Sequence, residues 1–329
     1  MTIENLINII GGQIINKPKI TKIESATIYH SKVELGDLFF AIDNEHIDKA
    51  VENGAYAIVF EGEKPKIKDN EIVYIKVDSI KDTTVKFLRY IIAQKEAKIF
   101  YFEDIEASLL KQISFRKSTI FTILDNNWQK NFETILNSNF DIYITTNKDD
   151  AKTLSPKYKI QSNLVNGYIV SDSLLKSTFR IEKFVYQDME LAPFFIDNLR
   201  KVVAFCQESS IEYDINRLKY TKEFKPYFVD KDLNIVPKGT TERVLIFIST
   251  LKIIEKSINY LKYDGRWVKR LTLTPPKTKL DSDDKPTWYH NSKEAKEILK
   301  NNHFHYAFCY KLSVNDIIEK SLDNPTLFN

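Results

Sequence analysis

Val33-Glu34-Leu35-Gly36-Asp37-Leu38-Phe39-Phe40-Ala41, followed by Ala50-Val51-Glu52-Asn53-Gly54-Ala55-Tyr56-Ala57-Ile58-Val59, sets the fold class of this 329-residue chain. Leu38-Phe39-Phe40-Ala41 reads as a short buried strand. Ile47 to Asn53 reads as a helix, and Gly54 just past its end suits a left-handed closing residue. Ala57-Ile58-Val59-Phe60 is a second strand and Ile72-Val73-Tyr74-Ile75-Lys76-Val77 a third. Strands alternating with helices predict α/β layers.

The same alternation continues outward. Ser79-Ile80-Lys81-Asp82 resembles a capping box, and Val85, Leu88, Ile91 and Ile92 form an apolar stripe on the helix that follows. Lys98 to Phe102 is a strand, and Ile105 to Ile113 a helix. Thr119 to Leu124 and Asp141 to Thr145 are two more strands, joined by a helix around Lys130 to Leu136. Apolar, non-alternating strands separated by helices predict a parallel sheet. From about Ser162 to Glu190 the chain is β-rich. A helix then buries Ile196, Leu199, Val202, Val203 and Cys206. The last unit has strands at Val244–Phe247, Trp267–Leu273 and His305–Cys309, with helices at Ile253–Leu261, Lys293–Leu299 and Val314–Leu322. Pro275 to Pro286 is an exposed loop.

With 43% apolar residues the chain can bury a sizeable core, and its length predicts more than one domain. No stretch approaches the length of a membrane span. Met1-Thr2-Ile3-Glu4-Asn5 lacks the positive start and apolar run of a secretory signal, which points to the cytoplasm. Cys206 and Cys309 lie in apolar surroundings and read as core thiols. The net charge of +3 comes from 48 basic and 45 acidic residues mixed along the chain, so nothing asks for nucleic acid or an anionic membrane.

Other chemistry is thinly represented. His303 and His305 with Cys309 have a spacing that suits metal, but no second ligand cluster stands near, and an ordinary structural role is favoured. Asp281, Asp283 and Asp284 lack the glycine and terminal glutamate of a calcium loop. Trp288-Tyr289-His290 reads as an aromatic anchor for a loop. There is no Gly-x-Ser-x-Gly elbow. No metal or cofactor is expected.

The opening stretch resembles the first domain of the Mur ligases, ATP-dependent enzymes of peptidoglycan precursor synthesis. The family pattern is similar to Asp-Ser-Arg-x-Val-x-x-Gly-Asp-Leu-Phe-Phe-Ala. Val33, Gly36, Asp37, Leu38, Phe39, Phe40 and Ala41 match it, while Tyr29-His30-Ser31 stand in place of Asp-Ser-Arg. Gly54-Ala55-Tyr56-Ala57 matches the family's Gly-Ala-x-Ala helix end. The resemblance is specific over about Val33 to Glu61. It implies a uridine-diphosphate-like site near His30, Ser31, Lys32, Gly36, Asp37, Phe39, Phe40 and His46. Backbone and core needs alone also account for Gly36, Gly54, Phe39 and Phe40.

Weaker matches follow in order. Asn126, Asn127, Thr134, Ile135 and Leu136 resemble a segment of the D-alanyl-D-alanine-adding branch. Asp197-Asn198-Leu199 resembles the family's Asn-x-Leu-Ala-Ala helix, and Gly239-Thr240-Thr241-Glu242-Arg243 its Gly-Arg-x-Glu turn. The implied architecture is a small N-terminal α/β domain over 1–80, a central mostly parallel domain over 81–241 and a shortened Rossmann-like domain over 242–329.

One family feature is missing. The phosphate loop belongs between the strand ending at Phe102 and the helix that follows, where the chain has Glu103-Asp104-Ile105-Glu106. Glycines let backbone N–H groups approach phosphates, and a lysine and a hydroxyl serve charge and Mg²⁺. No glycine occurs from residue 63 to 166, and three carboxylates in this stretch would repel a triphosphate. Lys117-Ser118 precedes a strand and does not substitute. The leading expectation is a Mur-ligase-like protein of peptidoglycan metabolism without ligase activity, binding a cell-wall synthesis protein or a UDP-sugar-like ligand. The alternatives are an active, divergent precursor ligase and a scaffolding protein with no small ligand.

Overall fold

The computed structural model describes residues 1–115, 119–281 and 284–319. The chain runs α1 (Ile3–Ile10), β1 (Gln13–Ile14), β2 (Ala26–Thr27), β3 (Leu38–Phe40), α2 (Ile47–Glu52), β4 (Ala57–Glu61), β5 (Val73–Val77), α3 (Ile80–Gln94) and β6 (Lys98–Tyr101). It continues through α4 (Asp104–Ile113), β7 (Phe121–Ile123), α5 (Trp128–Asn137), β8 (Ile142–Thr145), α6 (Lys148–Leu154) and β9 (Lys159–Ile160). Then follow β10 (Gly167–Asp172), β11 (Ser177–Ile181), β12 (Phe184–Met189), α7 (Ile196–Glu208), β13 (Pro226–Phe228), β14 (Val244–Ile248) and α8 (Leu251–Asp264). The last elements are β15 (Arg270–Thr274), β16 (Thr287–Trp288), α9 (Ser292–Asn301), β17 (Tyr306–Tyr310) and α10 (Val314–Ile317). Two units result: Met1–Glu103 with Lys117–Gln161, and Asp104–Arg116 with Ser162–Asn329.

The first unit contains two sheets. One has the order β1-β5-β4-β3-β2 and is parallel except for β1; the other is β7-β8-β6-β9, parallel throughout. Successive strand residues point to opposite faces, so a strand buried at every position needs cover on both sides. In β3, Phe39 packs with Ile47, Ala50 and Phe60, and Phe40 joins the cluster of α1 and α3 on the other face. The Phe40 ring lies 5.4 Å from Phe87 and 5.5 Å from Phe132. Phe132 belongs to α5, so α3 sits in one core shared by both sheets of this unit.

That shared core rotates the stripe expected on α3. Ile80, Thr83, Thr84, Phe87, Leu88 and Ile92 are buried, whereas Val85 and Ile91 are only half-buried. Two sheets to cover make the buried face wider than a single apolar stripe, and two threonines fall inside it. Ser79 Oγ accepts the Asp82 N–H at 3.2 Å, so the capping residue is as expected.

The second unit has the antiparallel sheet β10-β11-β12 and the sheet β13-β14-β17-β15-β16, in which only β13 is antiparallel. Cys206 and Cys309 are buried free thiols whose pKa burial pushes up to about 12. The strand expected from Trp267 starts only at Arg270, and Trp267 is 77% exposed. The final helix ends at Ile317 rather than continuing, because Ile318 is extended and Glu319 turns to bond the Leu233 carbonyl and Lys296. Residues 320–322 of that expected helix lie outside the described residues. Among the described residues, no helix is long and apolar enough to cross a membrane.

Candidate functional site

The parallel strands of the first sheet send their carboxyl ends to one edge, where open α/β sheets place ligands. The loop after β2 forms a tight turn at His30–Lys32, and the loop after β3 forms another at Asn44–His46, capped by Asp43. The sheet brings these loops together: the His30 and His46 rings are 4.2 Å apart. Desolvation, then the neighbouring His46 and Lys49, lower the His30 pKa. Asn53 Nδ2 fixes the turn by donating to the His30 carbonyl at 2.9 Å. Ser31 and Lys32 are exposed.

Lys32 is held from below. Its Nζ is 3.2 Å from Glu133 Oε2, and Glu133 is buried on α5. Glu133 Oε1 also accepts from Thr27 Oγ1 at 2.9 Å and from the Ile28 N–H, while Asn137 Nδ2 donates to Oε2 at 3.3 Å. A buried carboxylate is tolerable when its oxygens are satisfied in this way. Sequence reasoning missed Glu133. Its position between Phe132 and Ile135, on the buried face of the helix, was the available signal.

The other residues expected near this edge are structural in their surroundings. Gly36 is buried at φ +101, its N–H donates to the Gly54 carbonyl at 3.0 Å, and its own carbonyl accepts from Glu24. Asp37 Oδ2 accepts the Glu34 N–H at 2.9 Å, and the Asp37 carbonyl accepts from Tyr56 at 2.8 Å. Burial raises the Asp37 pKa against the opposing effect of that Glu34 N–H. Phe39 and Phe40 are in the core. Of the eight residues, the edge gathers His30, Ser31, Lys32 and His46 in its loops.

The junction of β6 and α4 is short. β6 ends at Tyr101 and α4 begins at Asp104, which leaves Phe102 and Glu103 between them. Phe102 is buried, and its N–H donates to the Thr145 carbonyl at 3.0 Å. Asp104 and Glu106 lie in the first turn of α4, with Ile105 buried. Glu106 is itself buried, and its Oε1 accepts from Asn198 Nδ2 at 3.1 Å and pairs with Lys201 Nζ at 3.3 Å on α7.

Remaining candidates have ordinary partners. His305 Nδ1 accepts the Lys269 N–H at 2.8 Å, and Cys309 is wholly buried. Asp284 pairs with Arg270, which lowers its pKa; Asp283 lies outside the described residues, as do Lys117 and Ser118. Tyr289 is buried and donates to the Tyr310 carbonyl at 2.7 Å, which makes it the loop anchor. Among the described residues, no group of three or more His, Cys, Asp or Glu is placed to hold a metal.

Two solved structures bear on this arrangement. MurF from Acinetobacter baumannii is 11% identical, with 96% of each chain covered and a TM-score of 0.53. A MurF ligase from Thermotoga maritima, solved in complex with ADP, is 12% identical, covering 89% of this chain and 95% of that one, with a TM-score of 0.50. The fold is that of the Mur ligases. No family model matches the sequence, and no curated protein does.

Within the Mur-ligase fold, the weaker sequence matches act locally. Asn127 caps α5 by accepting from the Gln129 and Lys130 N–H groups. Asn198 is the partner of Glu106. Gly239 adopts φ +92, and Arg243 donates to the Leu299 and Asn302 carbonyls while lying 4.2 Å from the Phe304 ring centroid.

Proposed function

We propose that this chain is a Mur-ligase-like protein of peptidoglycan metabolism that does not carry out ATP-dependent ligation. The observation that carries the proposal is the two-residue connection Phe102-Glu103 between β6 and α4. A phosphate loop of the strand–loop–helix type spans about eight residues, with glycines that expose backbone N–H groups. Here the first N–H belongs to the sheet, and the first helical turn carries Asp104 and Glu106. Glu106 is already occupied by Asn198 and Lys201. These residues do not fit a triphosphate.

The three-part division 1–80, 81–241 and 242–329, and a cytoplasmic setting, belong to the same proposal. So does binding of a UDP-sugar-like ligand at the edge formed by His30, Ser31, Lys32 and His46. Its support is the meeting of two loops at the carboxyl ends of parallel strands, with a cationic side chain and two imidazoles.

The test is ATP turnover with UDP-N-acetylmuramoyl-tripeptide, D-alanyl-D-alanine and Mg²⁺. The expected result is no phosphate release above a no-enzyme control; substrate-dependent release would overturn the proposal. A thermal shift with UDP-N-acetylglucosamine that disappears in His30→Ala supports the ligand edge. No shift with any uridine nucleotide would favour a scaffolding role instead.

A further inference from the structure

A cavity lies in the second unit, at the amino ends of the parallel strands β14, β17 and β15. This is the opposite edge of the sheet from the one where doubly wound folds ordinarily bind ligands. Its volume is about 510 Å³, within the range of small-molecule sites. Asp172, Glu242 and Asp264 contribute carboxylates to its lining, and among the described residues no lysine or arginine lines it. Tyr260 and Leu261 supply apolar wall, while Trp267 presents most of its surface to solvent at the rim.

The polar groups are held in defined positions. Tyr260 donates its hydroxyl to Asp172 Oδ1 at 3.0 Å. The Lys269 N–H donates to His305 Nδ1 at 2.8 Å, so the proton of a neutral His305 resides on Nε2, which lies 3.5 Å from Glu242 Oε2. The Trp267 ring meets the His305 ring edge to face, with centroids 5.5 Å apart. A largely exposed aromatic ring that lines the same cavity as three acidic residues offers two kinds of attraction to one ligand: charge pairing and a cation–π contact. An anion meets neither.

We propose that this cavity binds an organic cation, a primary ammonium or guanidinium carried on an apolar stem. The stem lies along Tyr260 and Leu261, and the charged head lies between Trp267 and the carboxylates. All of its lining residues belong to the second unit, so it does not depend on the candidate edge of the first.

Isothermal titration with agmatine tests the free-amine source, and acetyl-Gly-Lys-Gly-amide tests a lysine borne by a protein. Saturable binding is expected for at least one probe. It should weaken at least tenfold in Trp267→Ala and in the Asp172→Asn/Asp264→Asn double variant, and circular dichroism should show all variants folded. Binding of the peptide alone assigns the site to a partner's side chain. Binding by neither probe at 10 mM, or equal binding by wild type and both variants, would overturn the proposal.

Discussion

Two strand-to-loop junctions of this molecule follow opposite courses. At β3 the Gly36–Ala41 stretch keeps the Mur-ligase pattern, and each matching residue has a demand from the fold itself. Gly36 supplies a positive φ, Asp37 ties a turn, and Phe39 and Phe40 fill the cores on the two faces of the sheet. At β6 only two residues, Phe102 and Glu103, connect the strand to α4, and Glu106 in the first turn of that helix bonds to α7. Residues that a fold requires and residues that a ligand requires can therefore part company within one chain.

The largest test of this contrast is Phe40→Ala. Phe40 is completely buried against Phe87 and Phe132, so its truncation should destabilise the protein by about 3–5 kcal/mol. Urea denaturation measures this, and a loss below 1 kcal/mol would show that the signature is not there for the core.

Glu106→Ala comes next. If Glu106 serves the fold, removing it deletes its buried bonds to Asn198 and Lys201 and costs about 1–3 kcal/mol, with Glu106→Gln recovering part. A neutral or stabilising result would return this carboxylate to the list of functional groups.

Gly36→Ala should cost roughly 1–2 kcal/mol, since φ +101 is unfavourable for a residue with a Cβ. An unchanged melting temperature would refute the backbone explanation for this glycine.

The smallest effect concerns pH. Burial raises the folded Asp37 pKa above its ordinary 3.8. The folded state then holds this proton more tightly than the unfolded state, so the contribution is fully present below about pH 3.8 and declines as pH rises through the folded value. Denaturation from pH 3.5 to 6 should show wild type losing stability relative to Asp37→Asn. The opposite slope would mean that the Glu34 N–H outweighs burial.

Much of the fold was legible in local pattern. The alternation of apolar strands and helices, the capping Ser79, and the buried face of α7 all depend on short-range periodicity and appear as expected. The buried face of α3 departs from the expected stripe because it covers two sheets from distant segments, which no helical period encodes. α10 ends earlier than expected for a related reason: Glu319 bonds to Leu233 and Lys296. At the candidate edge, His30 and His46 were visible as residue types, but their 4.2 Å approach depends on β2 and β3 lying side by side.

By itself the sequence determined the α/β alternation, the turn at Gly36, the helix end at Gly54 and the absence of glycine before α4. These follow from backbone sterics and side-chain polarity, which act over a few residues. Only the tertiary structure decided that Glu133 pairs with Lys32, that Glu106 bonds to α7, and that Trp267, Asp172, Glu242 and Asp264 line one cavity. Those arrangements join residues far apart in the chain, and charge and hydrogen bonding act through space.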